Sequence, residues 1–128
     1  MRLLLDTHVL LWAASSPQKL TNEGRRLLAD PDHELWFSVV SIWEIAVKRA
    51  LGRKDFNFDP GITRRMVLEF GFRELTLTGE HALQVESLPL LHKDPFDRIM
   101  IAQALSEAMT FATSDKLLIG YPGWIRLV

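Results

Sequence analysis

The sequence predicts an α/β domain with a mostly parallel sheet flanked by helices on both faces. Short apolar runs of strand length alternate with longer segments of helical spacing along the whole chain. Most junctions fall on Ser, Asp, Gly or Pro, which end one element and start the next. The chain has 128 residues, 48% of them hydrophobic, enough for one substantial core. No repeat, low-complexity tract or long linker divides it, so residues 1–128 are read as a single domain.

The elements follow in order. Arg2–Leu5 is a short apolar run, read as a buried strand, and Thr7–Ala14 is a helix ending before Ser15-Ser16-Pro17. Thr21–Ala29 is a second helix, stopped by Asp30-Pro31-Asp32, and Leu35–Val39 is a strand. Ser41–Leu51 is a helix with Gly52 as its C-terminal cap. Residues 53–60 form a loop with two exposed aromatics, Phe56 and Phe58, read first as a partner surface and second as base-stacking groups. Ile62–Phe70 is a helix ended by Gly71, and Arg73–Leu77 alternates as a strand does. Gly79–Ser87 is helical, and Leu88–Lys93 is a loop. Pro95–Ala108 is the longest helix, with proline suited to its first position. Met109–Thr113 is a strand, Lys116–Ile119 a single helical turn, and Trp124–Val128 the final strand.

Five carboxylates mark expected helix starts: Asp6, Glu44, Asp94, Asp97 and Asp115. Each has a local explanation. Asp6, Asp94 and Asp115 suit helix N-caps, and Asp97 suits the first turn of its helix. Ser41-Ile42-Trp43-Glu44 matches a capping box, and Glu44 can also pair with Lys48 four residues on. Neutral Ser, Thr or Asn would cap as well, yet this chain uses charge at all five places. In an open α/β sheet the carboxyl ends of the strands frame the ligand crevice. Acids converging there raise each other's pKa or require a counter-ion. A hard divalent cation, Mg2+ or Mn2+, suits such an all-oxygen site and supports displacement at phosphorus.

Composition narrows the alternatives. The absence of cysteine excludes disulfides, thiolate metal sites and cysteine nucleophiles, and fits a cytoplasmic location. No apolar run approaches a membrane span, and the N-terminus lacks the features of a secretory signal. The net charge is −1, but with the five acids set aside, 15 basic residues face 11 of the 16 acids. That +4 balance is compatible with a phosphate-bearing ligand. There is no Gly-rich phosphate loop, dinucleotide fingerprint or nucleophile elbow. Position 8 is His, where an aspartyl-phosphate phosphatase needs a second aspartate.

Among other residues, His8 is expected near the site on the first turn of its helix, and His92 as a solvated loop residue. Trp12 and Trp43 read as packing residues. Lys48, Arg49, Arg53 and Lys54 form a basic cluster, and Lys93, Arg98 and Lys116 flank the acids. Arg98, Lys48, Lys93, Lys116, Ser114 and Thr7 are the candidate substrate-binding residues, with Arg98 either holding a phosphate or tying an acid in place. Thr113 and Ser114 are candidates to position an acid.

The segments Leu4-Leu5-Asp6-Thr7-His8-Val9-Leu10-Leu11-Trp12, Ser38 to Lys48, His92 to Ala104 and Thr113-Ser114-Asp115 together resemble the PIN-domain family, specifically VapC-type toxin ribonucleases. The resemblance runs nearly end to end. It implies a parallel five-stranded sheet, with Mg2+ or Mn2+ held by Asp6, Glu44, Asp97 and Asp115 as the catalytic acids. Asp94 is an accessory candidate and is read as the N-cap that aims Asp97. The implied activity is endonucleolytic cleavage of RNA with water activated by the cation. The implied partners are a cognate antitoxin that silences the enzyme and a second copy in a homodimer. The alternatives are a PIN nuclease in RNA or DNA processing outside a toxin–antitoxin pair, and a PIN-like binding module that does not cut.

Overall fold

In the computed structural model, which describes residues 1–128, alternation along the first strand sets the layering. Strand β1 (Arg2–Leu5) buries Leu3, Leu4 and Leu5 completely. Leu3 and Leu5 belong to one apolar layer and Leu4 to the other. A strand buried on both faces reads as a continuous apolar run, and β1 sits at the centre of the sheet. The remaining strands are β2 (Glu34–Ser38), β3 (Arg73–Leu75), β4 (Thr110–Thr113) and β5 (Ile125–Leu127). Their order is β3-β2-β1-β4-β5, and every pair is parallel. The expected mostly parallel five-stranded sheet is therefore entirely parallel. Leu3 faces Leu35 on one side and Thr110 on the other.

Helices cover both faces, as expected. The helices are α1 (Thr7–Ser15), α2 (Asn22–Ala29), α3 (Val39–Ala50), α4 (Pro60–Glu69), α5 (Gly79–Gln84) and α6 (Pro95–Ser106). Val9 and Leu10 of α1 and Val67 of α4 pack on Leu3, Leu5, Phe37 and Ala112. Met100, Ile101 and Ala104 of α6 pack on Leu4, Phe111 and Leu75.

Three local expectations change. Helix α3 starts at Val39, two residues earlier than the sequence suggests, because the Ser38 hydroxyl accepts the Val40 N–H at 3.0 Å. Ser41 is consequently inside the helix and fully buried, and the Ser41–Glu44 capping box does not form. Phe56 is also fully buried, with Leu11 and Ile45, so it presents no surface to a partner or a base. Its segment turns inward through a short 3₁₀ turn, Lys54–Phe56. Trp43, expected in the packing, is 58% exposed and touches Phe96 edge-on with ring centroids 4.9 Å apart. Trp12 does pack, against the Leu3–Leu5 layer.

Candidate active site

The sheet order reverses at β1, with β2 on one side and β4 on the other. Connections leaving β1 and β4 part there and open a crevice at the strand carboxyl ends. Asp6 is the first residue beyond β1, and Ser114 and Asp115 are the first two beyond β4. Helix α3 springs from the end of β2 and carries Glu44 and Lys48, four residues apart and so on one face. The start of α6 adds Asp94 and Asp97. All five acids line one pocket of about 300 Å³, together with Thr7, His8, Lys48, Arg53, His92 and Ser114; no hydrophobic residue contributes to its wall.

The acids are oriented by backbone caps of their own elements and by hydroxyls from neighbouring ones. Asp6 caps α1, accepting the Val9 N–H at 2.9 Å on Oδ1, while the Thr113 hydroxyl donates to Oδ2. Burial pushes the Asp6 carboxyl above its ordinary pKa. The bonds from Thr113 and Val9 and the nearby His8 oppose that shift, and the Glu44 charge adds to it. The Thr7 hydroxyl donates to Glu44 Oε1 at 2.6 Å and lies 2.9 Å from the Ser41 hydroxyl. Asp94 caps α6 by accepting the Phe96 N–H at 2.9 Å, the role expected of it. Asp115 caps the following 3₁₀ turn, Lys116–Gly120, through the Leu117 N–H at 2.9 Å.

The charge is only partly balanced from within. Lys48 Nζ lies 2.5 Å from Glu44 Oε2 and 3.8 Å from Asp94 Oδ2. It is held between two rings, 4.6 Å from the Phe56 centroid and 5.4 Å from that of Phe96. His92 Nε2 sits 3.0 Å from Asp97 Oδ2 and 4.0 Å from Asp115 Oδ2. Burial, then the charges of Asp94, Asp6 and Glu44, push the Asp97 carboxyl up to about 7, against the pull of His92. Near neutral pH this acid is divided between its protonated and ionised forms. Carboxylate oxygens from four elements form a donor set that fits Mg2+ or Mn2+. His92, Asp94 and Asp97 offer ligand atoms within 4.8 Å of one another.

The substrate candidates divide. Thr7, Lys48 and Ser114 line the pocket, whereas Lys93 and Lys116 are exposed and lie outside its wall. Arg98 does not reach the pocket. It is 9% exposed, and its guanidinium donates to Pro89 O at 2.8 Å, Val85 O at 3.4 Å and the Tyr121 hydroxyl at 3.0 Å. The expectation that Arg98 grips a phosphate gives way to a structural role, because following Asp97 in a helix turns it to another face.

His92 corrects the expectation of a solvated loop residue. Its backbone is fixed by Tyr121, 29 residues away, a contact that leaves no local sequence signal. Arg53 was legible only as part of a basic cluster.

The PIN domain model matches residues 3–121. A search of curated proteins finds no match. Among solved structures, VapBC2 from Rickettsia felis bound to a DNA fragment from their promoter has a TM-score of 0.71 at 14% identity, covering 99% of this chain and 98% of that one. DNA-bound VapBC from Salmonella typhimurium has a TM-score of 0.66 at 15% identity, covering 99% and 98%. A toxin–antitoxin complex from Klebsiella pneumoniae has a TM-score of 0.59 at 17% identity, covering 98% and 94%. At these identities the likeness is one of fold.

Proposed function

The chain belongs to the PIN domain family, and from that premise we propose that it is a VapC-type toxin, a Mg2+- or Mn2+-dependent endoribonuclease that hydrolyses RNA phosphodiester bonds. The observation that carries this reading is the convergence of Asp6, Glu44, Asp97 and Asp115 in one polar pocket. In this reading those four acids hold the cation, with Asp94 as an accessory. A bound divalent cation supplies activation of water and stabilisation of charge at phosphorus.

The chain's own residues do the rest. Thr113 and the Val9 N–H fix both oxygens of Asp6, and Thr7 fixes one oxygen of Glu44. Preset ligands need no reordering when the cation arrives. Lys48 balances the Glu44 charge in the free protein, and from the same pocket wall it would meet the substrate phosphate. Arg53, Thr7 and Ser114 line the same pocket and complete the polar wall facing RNA. Lys93 and Lys116 take the flanking phosphates from outside it.

The VapBC assemblies among the structural neighbours support a cognate antitoxin as protein partner. Exposed apolar side chains, including Trp43, Leu51, Leu83 and Trp124, support a homodimer.

Cleavage-site mapping on total RNA, with Mn2+, with Mg2+ and with chelator, tests the activity. Asp6→Asn retains the helix cap, since Asn caps as well as Asp. It should therefore fold normally while cleavage drops by about 100-fold or more, the scale expected when a metal site loses ligation. Undiminished cleavage by folded Asp6→Asn in chelator would remove the metal-nuclease reading.

A further inference from the structure

The acid cluster includes an imidazole, His92, within ligand distance of Asp94 and Asp97, and the fold is arranged to keep it there. The His92 N–H donates to the Tyr121 hydroxyl at 2.8 Å, and the same hydroxyl donates back to the His92 carbonyl at 3.3 Å. One phenol thus holds both backbone groups of this loop residue. Tyr121 is itself buried, and the Arg98 guanidinium braces its hydroxyl at 3.0 Å. The other Arg98 bonds go to Pro89 and Val85, in the segment leading to His92. Burying a guanidinium is costly unless its donors are satisfied. Here every one of its contacts serves the chain that carries His92.

The imidazole position has the spacing of a metal ligand. Adjacent ligand atoms on an octahedral ion with bonds of 2.0–2.1 Å lie about 3 Å apart, and opposite ones about 4 Å. His92 Nε2 lies 3.0 Å from Asp97 Oδ2 and 4.0 Å from Asp115 Oδ2. We propose that His92 is a nitrogen ligand of the cation bound by the acid cluster, positioned by Tyr121 and Arg98, and that it biases the site toward Mn2+ over Mg2+. Mg2+ is served by carboxylate and water oxygens, whereas imidazole suits transition ions. Tyr121 and Arg98 act only through His92 and are positioning residues. This inference rests on the metal-dependent reading above and adds a donor to it.

Pulsed electron paramagnetic resonance of the Mn2+-loaded protein reads the bond directly, because a coordinated imidazole couples the manganese spin to nitrogen-14. The wild type should show this coupling, and His92→Ala and His92→Gln should lose it. Calorimetry should show Mn2+ affinity falling by about 10–100-fold in both, the range seen when metal-site support is removed, with a much smaller change for Mg2+. Tyr121→Phe retains the ring and should lower Mn2+ affinity by an intermediate factor. Mn2+ bound by the wild type without nitrogen coupling would overturn the assignment and leave the metal-dependent reading intact. Binding of Mg2+ without Mn2+ would overturn the assignment alone, and binding of neither ion by the wild type would overturn both. A wild-type spectrum without the coupling overturns the assignment even if a variant fails to fold, and coupling retained in His92→Gln would overturn it by assigning the nitrogen to another imidazole such as His8.

Discussion

Asp97 carries the site's conflict between function and stability at the level of one residue. Its carboxyl is raised from 3.8 to about 7, chiefly by burial and then by Asp94, Asp6 and Glu44. The native state therefore holds this proton more tightly than the unfolded chain does. Stability from Asp97 is fully present below about pH 4, the unfolded value, and is lost as pH rises through about 7. In chelator, Asp97→Asn should be more stable than wild type, by a margin that widens from about pH 4 to about pH 7 and then levels off. Mg2+ or Mn2+ should narrow that margin by binding the ionised form. Thermal melts across pH, with and without cation, measure it, and a margin independent of pH would refute the argument. The residue types of this cluster were legible in sequence because five separated acids each sat near an expected element junction. Their partners were less so. The Thr113–Asp6 contact spans 107 residues, and His92 reaches the site only because distant Tyr121 holds its backbone.

At the level of elements, alternation revealed every strand and helix, while tertiary contacts set several boundaries. Val39 reads as the end of a strand by its β-branched side chain, but the Ser38 cap claims it for α3. Glu44 accordingly lies in the second turn of α3 and faces the pocket through Thr7 and Lys48. Arg73–Leu77 reads as a strand over its full length, but β3 ends at Leu75, where its pairing with β2 ends. Helix α2 shows the opposite case, a residue chosen for packing against its own propensity. A Cβ on Gly24 would stand 2.7 Å from the Val128 carbonyl carbon, so only glycine lets the helix close on that segment. Val128 in turn donates its N–H to Thr113 O at 3.0 Å, next to the hydroxyl that orients Asp6. Gly24→Ala should therefore destabilise the protein by about 1–3 kcal/mol through overpacking, although alanine is the better helix former. Urea denaturation measures this, and a stabilised variant would show that Val128 yields freely.

At the level of the whole molecule, fold class and sheet direction followed from the chain's alternating pattern, but strand order did not. Periodicity says which segments are strands and nothing about which of them are neighbours. An assembly prediction belongs here too. Sedimentation should give twice the 14.7 kDa chain mass, and Trp43→Glu should shift the population toward monomer if that exposed indole lies in the contact. A wild-type monomer at micromolar concentration would rule out the proposed homodimer.

The central place of β1 has a consequence for synthesis. Strand β1 waits for its second neighbour, since Leu3 pairs with Thr110, more than a hundred residues downstream. Asp6 is translated more than a hundred residues before its Thr113 support and the companion carboxylate of Asp115. A chain growing at about 5–20 residues per second holds the cluster incomplete across that interval. A message broken, or a ribosome stalled, before codon 115 yields a product lacking one wall of the pocket. Such a fragment lacks the Asp115 carboxylate, so the acid cluster is complete only once residue 115 has been added.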